Sequence, residues 1–183
     1  MTAWRSLISV ASASIAVGYL VVMALTGAQP VQRQLVPFEA KGVLTTPPER
    51  IRRVEVSRGA ERVAVVRVGE RTWATADGAE LDGEAAKRIS MAVQMMHTSA
   101  PVRVIGAEEL QGIDPAGFEL DAPRVVASLY EAEQVPLLTI RFGGRNPDGF
   151  LQYMRMDGDA GVYLMSRFVG EEWVEALERI VRP

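Results

Sequence analysis

Residues 51–68, IRRVEVSRGAERVAVVRV, decide the class of fold. Ile51, Val54 and Val56, and then Val63, Val65, Val66 and Val68, recur largely at every second position. Such a period puts one set of side chains on a single face of a strand. Arg58-Gly59-Ala60-Glu61 falls between the two runs, where a short polar, glycine-containing stretch joins strands as a hairpin. Gly69-Glu70-Arg71 makes the next turn and leads to a short third strand containing Trp73. The period then lengthens. Asp82 is placed to cap a helix running to about His97, because its carboxylate can accept the amide protons that a first helical turn leaves without partners. Ala85, Ala86, Ile89, Ala92, Val93 and Met96 share one face of that helix, and Glu84, Lys87 and Arg88 lie off it.

Working outward toward the carboxyl end, the pattern recurs. Residues 124–130 and 136–142 read as strands with a turn at 131–135, and residues 150–156 and 162–165 follow as a hairpin. Asn146-Pro147-Asp148-Gly149 has strong turn chemistry, as proline presets φ and glycine accepts the left-handed conformation. A closing helix from about Phe168 groups Trp173, Leu177, Ile180 and Val181, with Glu171 and Glu172 expected in its first turn. Between the two units, residues 101–105 suggest a short strand, 107–111 a helical turn, and 112–123 a turn-rich connection. The expected class is α+β: antiparallel strands with helices on one face, arranged as two meander-plus-helix half-units about seventy residues apart.

Toward the amino end the polarity changes. Residues 7–25 contain no charged residue; Arg5 stands before them and the next charge is Arg33. A membrane-spanning helix needs about 20 apolar residues, whereas a cleaved signal has an apolar core of about 7–15. Length therefore favours a retained transmembrane anchor over residues 1–27. Thr26-Gly27-Ala28 passes as a loose cleavage site, which leaves removal after Ala28 open. Residues 28–49 read as a proline-containing linker, because Pro30, Pro37, Pro47 and Pro48 interrupt any continuous helix. Its Val31, Leu35, Val36 and Phe38 are suited to docking on the domain or on a partner near the membrane. The folded domain is expected over 50–183. Long domains translocate largely regardless of charge, so it is placed in the periplasm, anchored in the inner membrane.

Composition narrows the chemistry. The 183 residues are 48% hydrophobic and 23% charged, enough apolar material for one domain core, and the formal net charge of −3 offers no electrostatic reason to expect nucleic acid. The absence of cysteine excludes disulfides, thiolate metal sites and cysteine nucleophiles. Asp157-Gly158-Asp159 supplies only the first ligand positions of a calcium loop and reads as a hairpin corner. Gly143-Gly144-Arg145 lacks the lysine and the strand–loop–helix context of a phosphate cradle. His97, beside Met95 and Met96, is better explained by a helix carboxyl terminus than by copper. No catalytic, cofactor-binding or metal-ligating residue is assigned.

The ordered features resemble domain-of-unknown-function family 4340. Ile51-Arg52-Arg53-Val54-Glu55-Val56, the following hairpin, Trp73, and Leu81 with its helix look like the start of that family. The stretch from Gly112-Ile113-Asp114 to Phe118-Glu119-Leu120-Asp121-Ala122-Pro123 resembles its aromatic-Gly-Leu-Asp-x-Pro segment. Ile140-Arg141-Phe142-Gly143, Pro147-Asp148-Gly149, Tyr153 and Val162-Tyr163 resemble its second half. The likeness spans roughly residues 51–177. Glu119 stands where the family usually has glycine, so that turn is expected to be built differently. The resemblance implies a membrane-anchored domain facing the periplasm or outside, associated in some members with ABC transporter components resembling those of gliding motility, and with no established catalytic residues.

Together these readings give a non-enzymatic, single-pass accessory or scaffolding protein, without cofactor, that binds membrane or periplasmic proteins of an envelope assembly such as an ABC-type transport system. The alternative is a periplasmic ligand-binding or chaperone-like module serving a metalloenzyme or polysaccharide system.

Overall fold

The computed structural model describes residues 2–27 and 40–182, apart from residue 133; in the first helix the side chains of residues 13–25 are described. The chain divides into two units, residues 1–39 and 40–183. The first contains helix α1, Thr2–Gly27, whose described side chains, among them Ile15, Leu20, Val21 and Leu25, are exposed. Among the described residues no helix is long and apolar enough to cross a membrane. The transmembrane reading of residues 7–25 therefore draws no support from the structure and rests on the sequence run. The expected docking residues Val31, Leu35, Val36 and Phe38 and the cleavage point after Ala28 lie outside the described residues.

The second unit is α+β. Its strands are β1 (Arg53–Arg58), β2 (Glu61–Arg67), β3 (Trp73–Thr75), β4 (Arg103–Ile105), β5 (Val125–Tyr130), β6 (Leu138–Arg145), β7 (Leu151–Met156) and β8 (Val162–Ser166). They form one antiparallel sheet in the order β3-β2-β1-β5-β6-β7-β8-β4. Helices α2 (Gly83–Thr98) and α3 (Arg167–Val181) complete the fold. The two strand groups read from the sequence are thus halves of one continuous sheet, joined where β1 pairs with β5.

Register explains the main core. Val54 and Val56 stand opposite Val65 and Val63 on one side, and opposite Leu129 and Ala127 on the other. The row continues through Ile140, Phe142 and Met154. All of these except Val63 are buried, and they meet Ile89, Val93 and Met96 of α2 and Trp173, Ala176 and Leu177 of α3. Burying each large apolar side chain contributes roughly 1.5–3 kcal/mol, which is why both helices settle on this face. A second, smaller core lies on the reverse face. Ile105, Phe118, Leu120 and Val162 form it, with Tyr153 and Leu164 packed alongside. The turn-rich connection supplies its cover, including a 3-10 turn at Pro115–Phe118.

The start of α2 follows the expected chemistry. Asp82 Oδ1 accepts the amide protons of Glu84 and Ala85 at 2.9 and 2.8 Å. The Ala85 bond first, then the charge of Arg179 and the Glu84 bond, hold the Asp82 carboxyl below its usual range. The end of α2 moves the boundary of the linker. Gly42 donates its amide proton to the His97 carbonyl and Leu44 donates to the Met96 carbonyl, each at 2.9 Å. These two donors satisfy carbonyls that a helix end leaves without partners. Leu44 is buried, and a Cβ at Gly42 would lie 2.1 Å from the Met96 carbonyl oxygen. Residues 40–49, read from their prolines as linker, are therefore packed on the domain.

Helix α3 corrects two further expectations. It starts at Arg167, and its first turn carries no acidic residue. Glu171 and Glu172 fall in the second turn, where Glu172 is buried and accepts from Arg88 of α2 at 3.1 and 3.2 Å. Val181 is exposed and stands off the buried face that Trp173 and Leu177 share.

Candidate functional site

Three strand ends and the side of α3 enclose a cleft of about 630 Å³. Arg58 ends β1, Arg124 precedes β5 and Arg145 ends β6, and all three line it. Glu171, Val174 and Glu175 face them from α3, at the three- and four-residue spacing that puts side chains on one side of a helix. Pro123, Gln152 and Gly170 complete the lining.

Each cation of the cleft has a carboxylate partner. Arg58 donates to Glu178 at 2.6 Å and to Glu61 at 3.1 Å; the first of these bonds is the main reason its guanidinium pKa is raised. Glu178 is correspondingly lowered, first by the Arg58 hydrogen bond. Arg145 donates to Glu171 at 2.6 Å, and Arg124 stands 3.5 Å from Glu119. Glu175 pairs with Arg88 from the neighbouring helix. The result is an arginine–glutamate seam between sheet and helix. Exposed pairs of this kind contribute about 0–1 kcal/mol each, so a ligand carboxylate or phosphate can exchange for a protein carboxylate at little cost. Bidentate acceptance by guanidinium is the chemistry on offer. The carboxylates lining the cleft are both engaged by arginine, and no hydroxyl, thiol or imidazole lines it.

Gln152 is the polar residue that sequence reasoning passed over. It lies on the inward side of β7 with Met154 and is buried. Its Nε2 donates to the Gly143 carbonyl at 2.9 Å, satisfying an amide that would otherwise be costly to bury. A Cβ at Gly170 would lie 2.0 Å from Gln152 Oε1, so glycine is what lets α3 pass this side chain. The signal was present: a glutamine at an inward position of an alternating strand.

The residues weighed from the sequence are separated by the fold. Asp157 accepts from Arg141 Nε at 2.8 Å, and Asp159 accepts from the Gly161 amide at 2.7 Å and the Tyr163 hydroxyl at 2.6 Å. Their corner is a hairpin turn with Gly158 at φ 87°. The Asp159 bond pushes the Tyr163 phenol up to about 12, with burial adding to it. Gly143 and Gly144 lie within β6, where the chain of Phe118 and Glu119 crosses closely; a Cβ at Gly143 would lie 2.2 Å from the Phe118 carbonyl oxygen. His97 Nδ1 is 2.8 Å from the Leu44 carbonyl, which can only accept, so that nitrogen carries the proton. Among the described residues no group of three or more histidine, cysteine, aspartate or glutamate side chains is placed to hold a metal ion.

Comparison of the chain with models of protein families, with curated proteins and with solved structures finds no match. What the fold defines is a class: an α+β domain of one antiparallel sheet, with two helices on one face and a charged cleft at the strand ends.

Proposed function

We propose that this chain is a non-enzymatic accessory or scaffolding protein, held in the inner membrane by residues 7–25 with its domain in the periplasm, that binds partner proteins of an envelope assembly of the ABC-transport kind. The observation that carries the reading is the uncharged run itself: 19 residues. At about 1.5 Å per residue it reaches about 28 Å, close to the thickness of a bilayer's hydrocarbon core. The turn at Glu119, expected to be built differently from that of family 4340, has a glycine-like backbone. Glu119, standing where that family carries glycine, has a left-handed φ of 53°, the conformation glycine adopts freely. It is the only non-glycine residue with positive φ among the described residues.

The test is carbonate extraction of membranes, followed by affinity purification from detergent. Retention in the membrane and stoichiometric recovery of membrane partners are expected. Release by carbonate overturns the anchor, and recovery of the chain alone overturns the assembly.

The cleft favours a second reading, a periplasmic module that holds an anionic ligand against Arg58, Arg124 and Arg145. Calorimetric titration with succinate and inorganic phosphate distinguishes it. Saturable binding abolished by Arg124→Gln supports this reading, and no heat beyond dilution removes it.

A further inference from the structure

The lining of the arginine cleft includes one polar side chain that is more than nine-tenths buried, Gln152 at 5% exposure. Its Nε2 is spent on the Gly143 carbonyl. A carbonyl can only accept, so the orientation of the amide is fixed and Oε1 is turned away from that bond. Oε1 lies against Gly170, which also lines the cleft, and among the described residues no donor is bonded to it. An amide oxygen in such a place is costly to leave without a donor, so it calls for an N–H or O–H group from an occupant. The arginines call for an anion, and they are not equivalent. Arg58 and Arg145 each donate to a glutamate at 2.6 Å, whereas Arg124 stands 3.5 Å from Glu119. A charge-assisted hydrogen bond measures about 2.7–2.9 Å, so Arg124 carries the least engaged guanidinium of the three. Pro123 and Val174 add an apolar wall, and among the described residues no aromatic ring lines the cleft.

The end of a peptide chain combines what these groups call for. Its terminal carbon bears a carboxylate, an amide N–H and a side chain together. We infer that the cleft takes the free carboxyl terminus of a peptide, with the carboxylate on Arg124, the last amide N–H on Gln152 Oε1 and an apolar terminal side chain against Pro123 and Val174. This rests on the anionic-ligand reading of the cleft given above and names the class of ligand. The volume of about 630 Å³ falls within the range of about 300–1,000 Å³ typical of sites for organic ligands, and it exceeds what a phosphate or a four-carbon dicarboxylate fills. A sugar acid also offers a carboxylate and donors. It brings no apolar side chain for Val174, and the cleft gives the face of its ring no aromatic partner.

The test titrates the full chain in detergent with N-acetyl-alanyl-valine and two analogues, followed calorimetrically. One analogue ends in a carboxamide, and the other is the ester in which oxygen replaces the last N–H. Saturable binding of the free acid is expected, with each analogue about tenfold weaker, since each loses one hydrogen-bonding group. Arg124→Gln should remove the difference between acid and carboxamide. An ester that binds as tightly as the parent peptide overturns the role of Gln152, and with it this inference. Succinate or phosphate binding as tightly as the peptide acid also overturns it, and leaves the anionic-ligand reading standing. Glucuronate binding more tightly than the peptide assigns the cleft to sugar acids and overturns it as well. If none of these anions binds, the anionic-ligand reading is removed and this inference falls with it.

Discussion

On the face covered by α2 and α3, the strands contribute Val54, Val56, Val65, Ala127, Leu129, Ile140, Phe142 and Met154, all buried. On the reverse face the same strands contribute Arg53, Glu55 and Ser57 from β1, Ser128 and Tyr130 from β5, and Thr139 and Arg141 from β6. There Glu55 is held between Arg53 and Arg62, Arg53 lies 4.6 Å from the Tyr130 ring centroid, and Ser128 and Thr139 share a hydrogen bond. The buried apolar cluster of this face lies beneath the connection that carries Phe118 and Leu120. One face is thus held mainly by burial, which is large and insensitive to pH or salt. The other combines ion pairs, individually weak when solvent reaches them, with one small apolar cluster. Stability should therefore be unequally distributed between the faces.

The largest test of that inequality removes one aromatic from each core. Trp173→Ala, on the helical face, should cost about 3–5 kcal/mol and Phe118→Ala, on the reverse face, about 2–3 kcal/mol, read from urea unfolding midpoints. Equal losses would mean that the smaller cluster is as integral to the fold as the larger. Gly143→Ala sharpens the comparison, because it pushes a methyl toward the Phe118 carbonyl without touching the helices. A loss of about 1–3 kcal/mol is expected, together with faster amide exchange confined to the 106–123 connection.

Glu119→Gly should move stability the other way, by under about 1 kcal/mol. It relieves a left-handed residue but gives up the Arg124 pair and adds freedom to the unfolded chain. A thermal midpoint that falls would show that the Glu119 side chain matters more than its φ.

The smallest effect is a pH dependence at the Asp157–Tyr163 hairpin. The Tyr163 pKa is raised, so its contribution is intact below the ordinary value of 10 and is lost as pH rises toward about 12. The Asp159 pKa is lowered, first by the Tyr163 hydrogen bond and then by the Gly161 amide, so its contribution is lost at the acid end, as pH falls through that lowered value. Tyr163→Phe should abolish the alkaline part, measured as unfolding midpoint against pH. An unchanged profile would place the alkaline sensitivity elsewhere.

Most of the fold could be read from local pattern. Period-two alternation located the strands from β1 to β8, and the Asp82 cap with the face from Ala85 to Met96 placed α2 nearly to the residue. Local pattern failed where partners are distant in the chain. Prolines made residues 40–49 look like tether, yet Gly42 and Leu44 complete the end of α2 more than fifty residues later. Glu172 reads as a first-turn charge suited to the helix dipole, and it lies instead in the second turn, buried where Arg88 of the other helix reaches it. The cleft was not legible at all. Arg58, Arg124 and Arg145 are unremarkable in sequence and converge only because β1, β5 and β6 are neighbours in the sheet.

By itself the sequence determined the element types, their turns and the uncharged run at the amino end, because periodicity, capping and turn chemistry act over a few residues. Only the tertiary structure decided that two strand groups make one sheet, that the connection covers the reverse face, and which charges meet at the strand ends. Those outcomes depend on pairing between segments far apart in the chain, and no local spacing encodes which strand edges will join.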